Sequence, residues 1–334
     1  MIGILLLNLG GPDSLDAVKP FLFNLFSDRD IIKLGPSFLQ KTIAYLIASS
    51  RAKKTRGAYG KIGGKSPLLD ITKAQAKSLE EYLNASLLEQ SPGHYDKPLL
   101  SKWGTGGFKV YVGMRYWHPR IEEVVDNMQR DGVKRILALS LYPQYSLATS
   151  GSSIKKLKEV ASAYGMEYFC LNSWFDHPIY IDALVKKIQD GMDSFTQKPP
   201  VLFSAHSLPK RFVYEGDPYV NEIKGTINEI LKRMEMEWYL SYQSKTGPVK
   251  WLEPSTENML RDLSKKGIKN LLVVPISFVS DHIETLYEID ILYRGLAHQL
   301  GMNLKRMESL NTSPEFISAL ADIVIKNIIY LNWL

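Results

Sequence analysis

Cysteine is almost missing from this sequence: Cys170 is the only one in 334 residues. An intramolecular disulfide is therefore excluded. So is any all-cysteine zinc or iron–sulfur site built by this chain alone. Cys170 sits in a strand-like run and reads as buried packing. Long apolar runs are missing too. The run at 2–9 is too short for a secretory signal core and has no basic segment before it. The run at 316–334 is cut by Asp322 and Lys326, so it reads as an amphipathic helix and not a membrane span. These absences predict a cytoplasmic protein. No block of like charge and no low-complexity tract argues for disorder.

Several familiar loops are also lacking. Gly10-Gly11 runs straight into Pro12, too short for a dinucleotide fingerprint. The Gly63-Gly64-Lys65-Ser66 segment lacks the first glycine of a phosphate loop, and Pro67 bends the chain away from helix. No second histidine follows His282 at zincin spacing. The same stretch lacks the mid-loop glycine of an EF-hand. Neither Ser204 nor Ser207 lies in a Gly-x-Ser-x-Gly elbow, which weakens a serine-nucleophile reading.

What is present is ordinary globular composition, 45% hydrophobic and 23% charged. The length favours two domains. A net charge of +6 is only mildly basic, so no nucleic-acid partner is expected. The surplus suits an anionic small ligand or an anionic lipid surface, and it is also common as background surface charge.

Near-continuous apolar runs at 3–9, 109–113, 135–141, 167–171, 200–205 and 270–276 read as strands covered on both faces. Longer periodic segments at 14–25, 68–87, 121–129, 152–163, 178–195, 217–236, 255–265, 281–301 and 314–331 read as helices. The alternation predicts an α/β protein of two doubly wound, Rossmann-like domains with parallel sheets. An internal echo supports two halves. Residues 113–142 align without gaps on 248–277, an offset of 135 that carries Pro119 onto Pro254 and Gly132 onto Gly267. The polar stretch at 172–177 predicts domains 1–172 and 173–334, with the last helix packing back on the first. In such folds ligands bind beyond the carboxyl ends of the strands.

Two strands deliver polar residues there. One runs from Val201 into His206. Taken alone, that histidine reads as a core or turn residue. The other precedes Asp281, His282, Glu284 and Glu288. Asp281 and Glu284 have capping-box spacing. Yet three carboxylates on one helical stripe repel each other. With His282 they form a donor set suited to a divalent transition metal. In the first half, Arg51, Lys53, Lys54 and Arg56 crowd one segment, a solvated basic turn or a lip for an acidic ligand.

Four segments then resemble the ferrochelatases. They are GILLLNLGGP at 3–12, YPQYS with GSS at 142–153, LFSAHSLP with GDPY at 202–219, and SDHIETLYE at 280–288. The likeness runs in order from about residue 3 to about 328. It implies a porphyrin cleft between the two domains. It implies His206 and Glu284 as catalytic and metal-binding residues, with Asp281, His282 and Glu288 on a path for protons or metal. It implies Leu9, Arg115, Tyr116, Tyr142 and Phe278 around the macrocycle, Arg51 and Ser66 near its propionates, and Trp251 on the cleft wall.

The activity implied is insertion of Fe2+ into protoporphyrin IX with release of two protons, the last step of haem biosynthesis. Ferrous iron and the porphyrin are substrates, no cofactor is permanently bound, and no [2Fe–2S] cluster is expected. Peripheral contact with the inner membrane fits the basic surface, and a monomer or a homodimer fits the sequence equally. Two other readings keep the scaffold: a chelatase for coproporphyrin III or cobalt, and a non-catalytic carrier of haem or metal.

Overall fold

The structure is a computed structural model that describes residues 1–88, 107–245, 247 and 249–333. Pro248, in the segment that carries Trp251, and Leu334 lie outside the described residues.

Two four-stranded parallel sheets are built with one topology. The first comprises β1 (Ile2–Asn8), β2 (Lys109–Met114), β3 (Arg135–Ser140) and β4 (Glu167–Leu171), in the order β2-β1-β3-β4. The second comprises β5 (Val201–His206), β6 (Trp238–Gln243), β7 (Asn270–Val274) and β8 (Asn303–Arg306), in the order β6-β5-β7-β8. The helices are α1 (Val18–Ser27), α2 (Gln40–Gly60), α3 (Leu68–Leu88), α4 (Ile121–Arg130), α5 (Ser152–Ala163), α6 (Pro178–Asp193), α7 (Lys210–Tyr214), α8 (Tyr219–Leu231), α9 (Thr256–Lys265), α10 (Arg294–Gln299) and α11 (Pro314–Tyr330). Two π-helical turns, Leu147–Gly151 and Glu284–Tyr293, lead into α5 and α10.

The echo in the sequence is an echo in structure. The offset of 135 carries α4 onto α9 and β3 onto β7. It also carries the cis bond His118–Pro119 onto Glu253–Pro254, and left-handed Gly132 onto left-handed Gly267. Ile4 pairs with Leu137, and Val201 with Leu272. Leu9 therefore stands in the first half where His206 stands in the second.

Alternation along each strand divides the core. Leu5, Leu7, Ile136 and Ala138 face α4 and α5. Leu202, Leu271 and Val273 face α9, the second π-helix and α10. The opposite faces, through Ile4, Leu6, Phe203 and Val274, share one central core with α3, α6 and α11. Parallel strands covered on both sides must be apolar throughout, which is why these runs were legible.

Some expectations shift. The helix expected at 281–301 is a π-helix from Glu284 followed by a short α-helix, with 281–283 outside it. The expected capping box is absent: no side chain caps this helix, and Glu284 turns to His206 and Ser244 instead. The basic cluster at 51–56 is neither a turn nor a separate lip but the second half of α2. Ala44, Ala48 and Ala52 repeat every four residues on that helix and are buried; small side chains allow α1 to approach closely. β6 and β8 were not expected. Both are sheet edges, where polar residues replace the apolar run.

Phe316, fully buried where α11 meets the central core, tests that packing. Phe316→Ala should cost about 3–5 kcal/mol in urea unfolding, and a loss below about 1 kcal/mol would show that α11 is not part of the core.

Candidate active site

β5 is buried to its last residue, where His206 emerges with its side chain 32% exposed. Its backbone is fixed on both sides. Its N–H donates to Ser277 Oγ at 3.0 Å, and its carbonyl accepts from the Tyr219 hydroxyl at 3.0 Å. The imidazole Nδ1 then meets Glu284 Oε2 at 2.8 Å. Glu284 begins the second π-helix, a form that recurs at functional sites. The loop between β7 and this helix carries Phe278, whose ring lies edge-on to both His206 and His282.

Ser244 completes the centre. It follows β6 and holds a left-handed φ of 66°, which is costly for a side chain other than glycine. Its Oγ lies 2.7 Å from Glu284 Oε2 and 2.6 Å from Glu288 Oε2. One hydroxyl has one hydrogen to donate. With two carboxyl groups in contact, one of them must hold a proton for both bonds to form.

The charges follow from burial and neighbours. Desolvation is the largest influence on His206 and disfavours its cation. Glu284, by charge and hydrogen bond, and Glu288 outweigh it and raise the imidazole above its ordinary value. Desolvation also opposes ionisation of Glu284, but His206 and the Ser244 hydrogen bond overcome it and hold the carboxyl low. Glu288 differs. Desolvation and the charge of Glu284 push it up to about 7. Of the two acids, Glu288 is therefore the one that holds the proton. His282 is buried and shifted down, mainly by desolvation. Its Nδ1 contacts the Ser280 carbonyl, which can only accept, so Nδ1 is the protonated nitrogen.

The expected residues divide into two groups. His206, Glu284 and Glu288 converge, with Phe278 and His282 beside them. Tyr142 joins them, its phenol raised by burial and by the charge of Glu284 and bonded to the Leu9 backbone. Asp281 is engaged elsewhere, with Arg306, Ser309, Thr285 and Asn311. It does not share a stripe with Glu284 and Glu288, because the π-helix starts after it. Arg115 and Tyr116 both bond Asp28, at 2.6 and 2.7 Å. Arg51 lies over the Phe26 ring, and Ser66 is buried beneath Gly11. Trp251 lines a cleft of about 570 Å³ with Lys210, Lys245 and Lys250. Its buried indole N–H has no partner among the described residues.

Ser244, Tyr59, Tyr219 and Tyr293 were missed. The charge of Glu284 acts on all three phenols, and the Tyr293 hydroxyl bonds the Ser244 backbone. Ser244 follows a strand that was not recognised, so the strand-end rule did not reach it. Among the described residues, no group of three or more His, Cys, Asp and Glu side chains is gathered as a metal cage.

A family model described as Ferrochelatase matches residues 1–328. A ferrochelatase of Geobacter metallireducens is 51% identical over 329 residues, 97% of each chain. One of Geotalea uraniireducens is 49% identical over 331 residues, again 97% of each. One of Gloeothece citriformis is 44% identical over 337 residues, covering 98% of this chain and 82% of that longer one. Among solved structures, SirB from Bacillus subtilis with Fe3+ superimposes with a TM-score of 0.52 at 14% identity, over 97% of this chain and 94% of that one. The sirohydrochlorin chelatase SirB from the subspecies spizizenii in complex with cobalt gives 0.51 at 13% identity, over 96% and 92%. At such identities the likeness concerns the fold, which is that of the chelatases.

The raised His206 contributes stability that is complete below the unfolded histidine value of about 6.5 and is lost as pH climbs through its folded value. The depressed Glu284 contributes stability that is present above the unfolded value of about 4.3 and is lost as pH falls through its folded value. The stability difference between wild type and Glu284→Gln should therefore be greatest between roughly pH 4.5 and 6.5 and shrink toward pH 9. By NMR, the same substitution should drop the His206 pKa below the ordinary histidine value. A His206 pKa unchanged in the variant would contradict the pairing.

Proposed function

Because this chain belongs to the ferrochelatase family, and is thus a metal chelatase of haem synthesis, we propose that it inserts Fe2+ into protoporphyrin IX and releases two protons. One observation carries the residue assignment: the His206–Glu284 hydrogen bond at a strand end, continued through Ser244 to Glu288. Porphyrin metallation needs two things that this set supplies. Bases must take two pyrrole protons, and nitrogen or oxygen donors must receive a ferrous ion as it sheds water.

At 2.8 Å, His206 and Glu284 leave no room for a flat ring between them. As the macrocycle enters, His206 gives its proton to Glu284, which relays it through Ser244 to Glu288, and the pair parts to leave a neutral imidazole on one side and a carboxylate on the other. Both then serve as proton acceptors and metal donors. A proton on Glu284 moves on when Ser244 Oγ accepts it and passes its own hydrogen to Glu288. Glu288 receives it in its unprotonated form, which its pKa of about 7 keeps substantially populated near neutral pH. Glu288, half-buried, releases its proton to solvent, and the hydroxyl then turns back for the next one. His282, neutral and beside Phe278, supports the loop at the start of this path.

The macrocycle is placed against Leu9, Tyr142, Phe278 and Trp251. The lysines beside Trp251 suit its acidic side chains. Arg115 and Tyr116 act on this wall through Asp28, and Arg51 and Ser66 are assigned to the propionates. The halves on either side of the cleft are 1–172 and 173–334. No described helix is long and apolar enough to cross a membrane. Exposed Phe38, Tyr45 and Leu46, with Lys41 and Lys53 on the same helical arm, support peripheral membrane contact where an apolar substrate is collected.

Iron and zinc insertion into protoporphyrin and coproporphyrin III should be followed in the visible bands. His206→Ala and Glu284→Gln should each lower kcat by about 10²–10⁴, and Ser244→Ala by roughly tenfold or more. Near-normal turnover in the first two would sink the site assignment. Faster turnover of coproporphyrin III would replace protoporphyrin as substrate. Separately, Phe38→Ser with Leu46→Ser should reduce co-sedimentation with anionic vesicles while leaving turnover of a soluble porphyrin intact. Equal sedimentation would remove the membrane reading.

A further inference from the structure

Arg306 ends β8 and is the most heavily engaged guanidinium near the site, with its side chain 9% exposed. Nε lies 3.1 Å from both carboxylate oxygens of Asp290, and Nη2 lies 2.9 Å from Oδ2. Nη1 lies 3.0 Å from Asp281 Oδ1 and also donates to the Met307 carbonyl and Ser309 Oγ, each at 3.2 Å. Asp281 precedes Glu284 by three residues, and Asp290 follows Glu288 by two. One rigid fork therefore grips the π-helix on both sides of the acids that project from it.

We infer that Arg306 is a positioning residue, which sets the spacing of Glu284 and Glu288 by clamping Asp281 and Asp290 to the end of β8. A π-helix is rare and seldom extends beyond a single turn. Here its register is fixed from outside. The second sheet supplies the fixed point, since β8 pairs with β7 from Asn270 to Val273. Asp281 is saturated by this arrangement. It accepts from Arg306, Ser309 and Asn311, and Thr285 Oγ lies 3.1 Å away. A carboxylate so held anchors the chain; it is not free to carry protons.

A guanidinium is required, because an ammonium is a point charge and cannot hold two carboxylates in fixed directions. Arg306 has this role only if Glu284 and Glu288 are the reacting acids. Asp290 also bonds Arg294 at 3.0 Å, so it keeps a cation when Arg306 is replaced.

The test uses Arg306→Lys, Arg306→Gln and Asp290→Asn in the full chain. Each is assayed for metal insertion and for amide hydrogen exchange. Arg306→Lys keeps the buried charge, and its melting temperature should stay near that of wild type. Its kcat should still fall by about ten- to hundredfold, as for a misplacement of about an ångström. KM for the porphyrin should stay within about twofold. Exchange should quicken across 281–293 and stay unchanged in β5 and β7. Asp290→Asn, which leaves the Asp281 bond intact, should shift kcat and exchange in the same directions, covering the case in which Arg306→Gln does not fold. Wild-type kcat in Arg306→Lys, or unchanged exchange over 281–293 in Asp290→Asn, would overturn the clamp. A parallel Glu284→Gln assay separates the two ideas: if that variant turns over normally, the acid pair is wrong, while the exchange result still decides whether Arg306 fixes the helix.

Discussion

The structure of the site depends on one buried contact between opposite charges, His206 against Glu284. Either partner alone would be driven neutral by desolvation. Together each favours the charged form of the other, and the charge of Glu284 reaches the groups around it. Burial, and after it the charge of Glu284, push Glu288 up, so that the second acid can hold a proton that the first does not. Burial first, and the charge of Glu284 after it, raise the phenols Tyr59, Tyr142, Tyr219 and Tyr293, which stay neutral around the carboxylate. Two glutamates four residues apart would normally share a solvated helix face. Here the imidazole bonded to Glu284 alone makes them chemically unequal.

That contact exists because two similar α/β units have diverged at the same place. β1 and β5 are the inner strands of their sheets, and each ends at the edge where loops gather. In the first unit the position holds Leu9, an apolar wall. In the second it holds His206. The next structural counterpart also differs. The first π-helical turn, Leu147–Gly151, packs against the body of the protein through Ser146 and Asp217, whereas the second presents Glu284 and Glu288. A common core through Phe203, Leu6 and α11 ties the two sheets together, so that α2 lies over the π-helix of the other half, with Lys61 above the Tyr287 ring.

How much was legible in the sequence varied with burial. Strands in the middle of a sheet are apolar on both faces, so 3–9, 135–141, 200–205 and 270–276 stood out. β6 and β8 are edges whose sequences, unlike those of edges β2 and β4, carry polar residues toward their carboxyl ends, Ser241 and Gln243 in one and Lys305 and Arg306 in the other, and periodicity could not find them. Missing β6 hid Ser244, and missing β8 hid Arg306. α2 escaped because its buried face is made of alanines, which carry little hydrophobic signal. The spacing of Glu284 and Glu288 suggested an α-helix, since nothing in a local pattern separates a π-turn from an α-turn.

The sequence by itself determined the alternating α/β plan, the internal repeat, the strand that ends in His206 and the acid-rich segment that faces it. Those features are local: periodicity, turn chemistry and motif spacing follow from short-range sterics and from which residues avoid water. Only the tertiary structure decided which acid meets the imidazole and which is shared through Ser244. It also drew Asp281 to Arg306, away from the path that its place in the sequence suggested. These pairings join residues up to 78 positions apart. Their charges depend on desolvation by side chains from both halves, and a chain can express that only once it has folded.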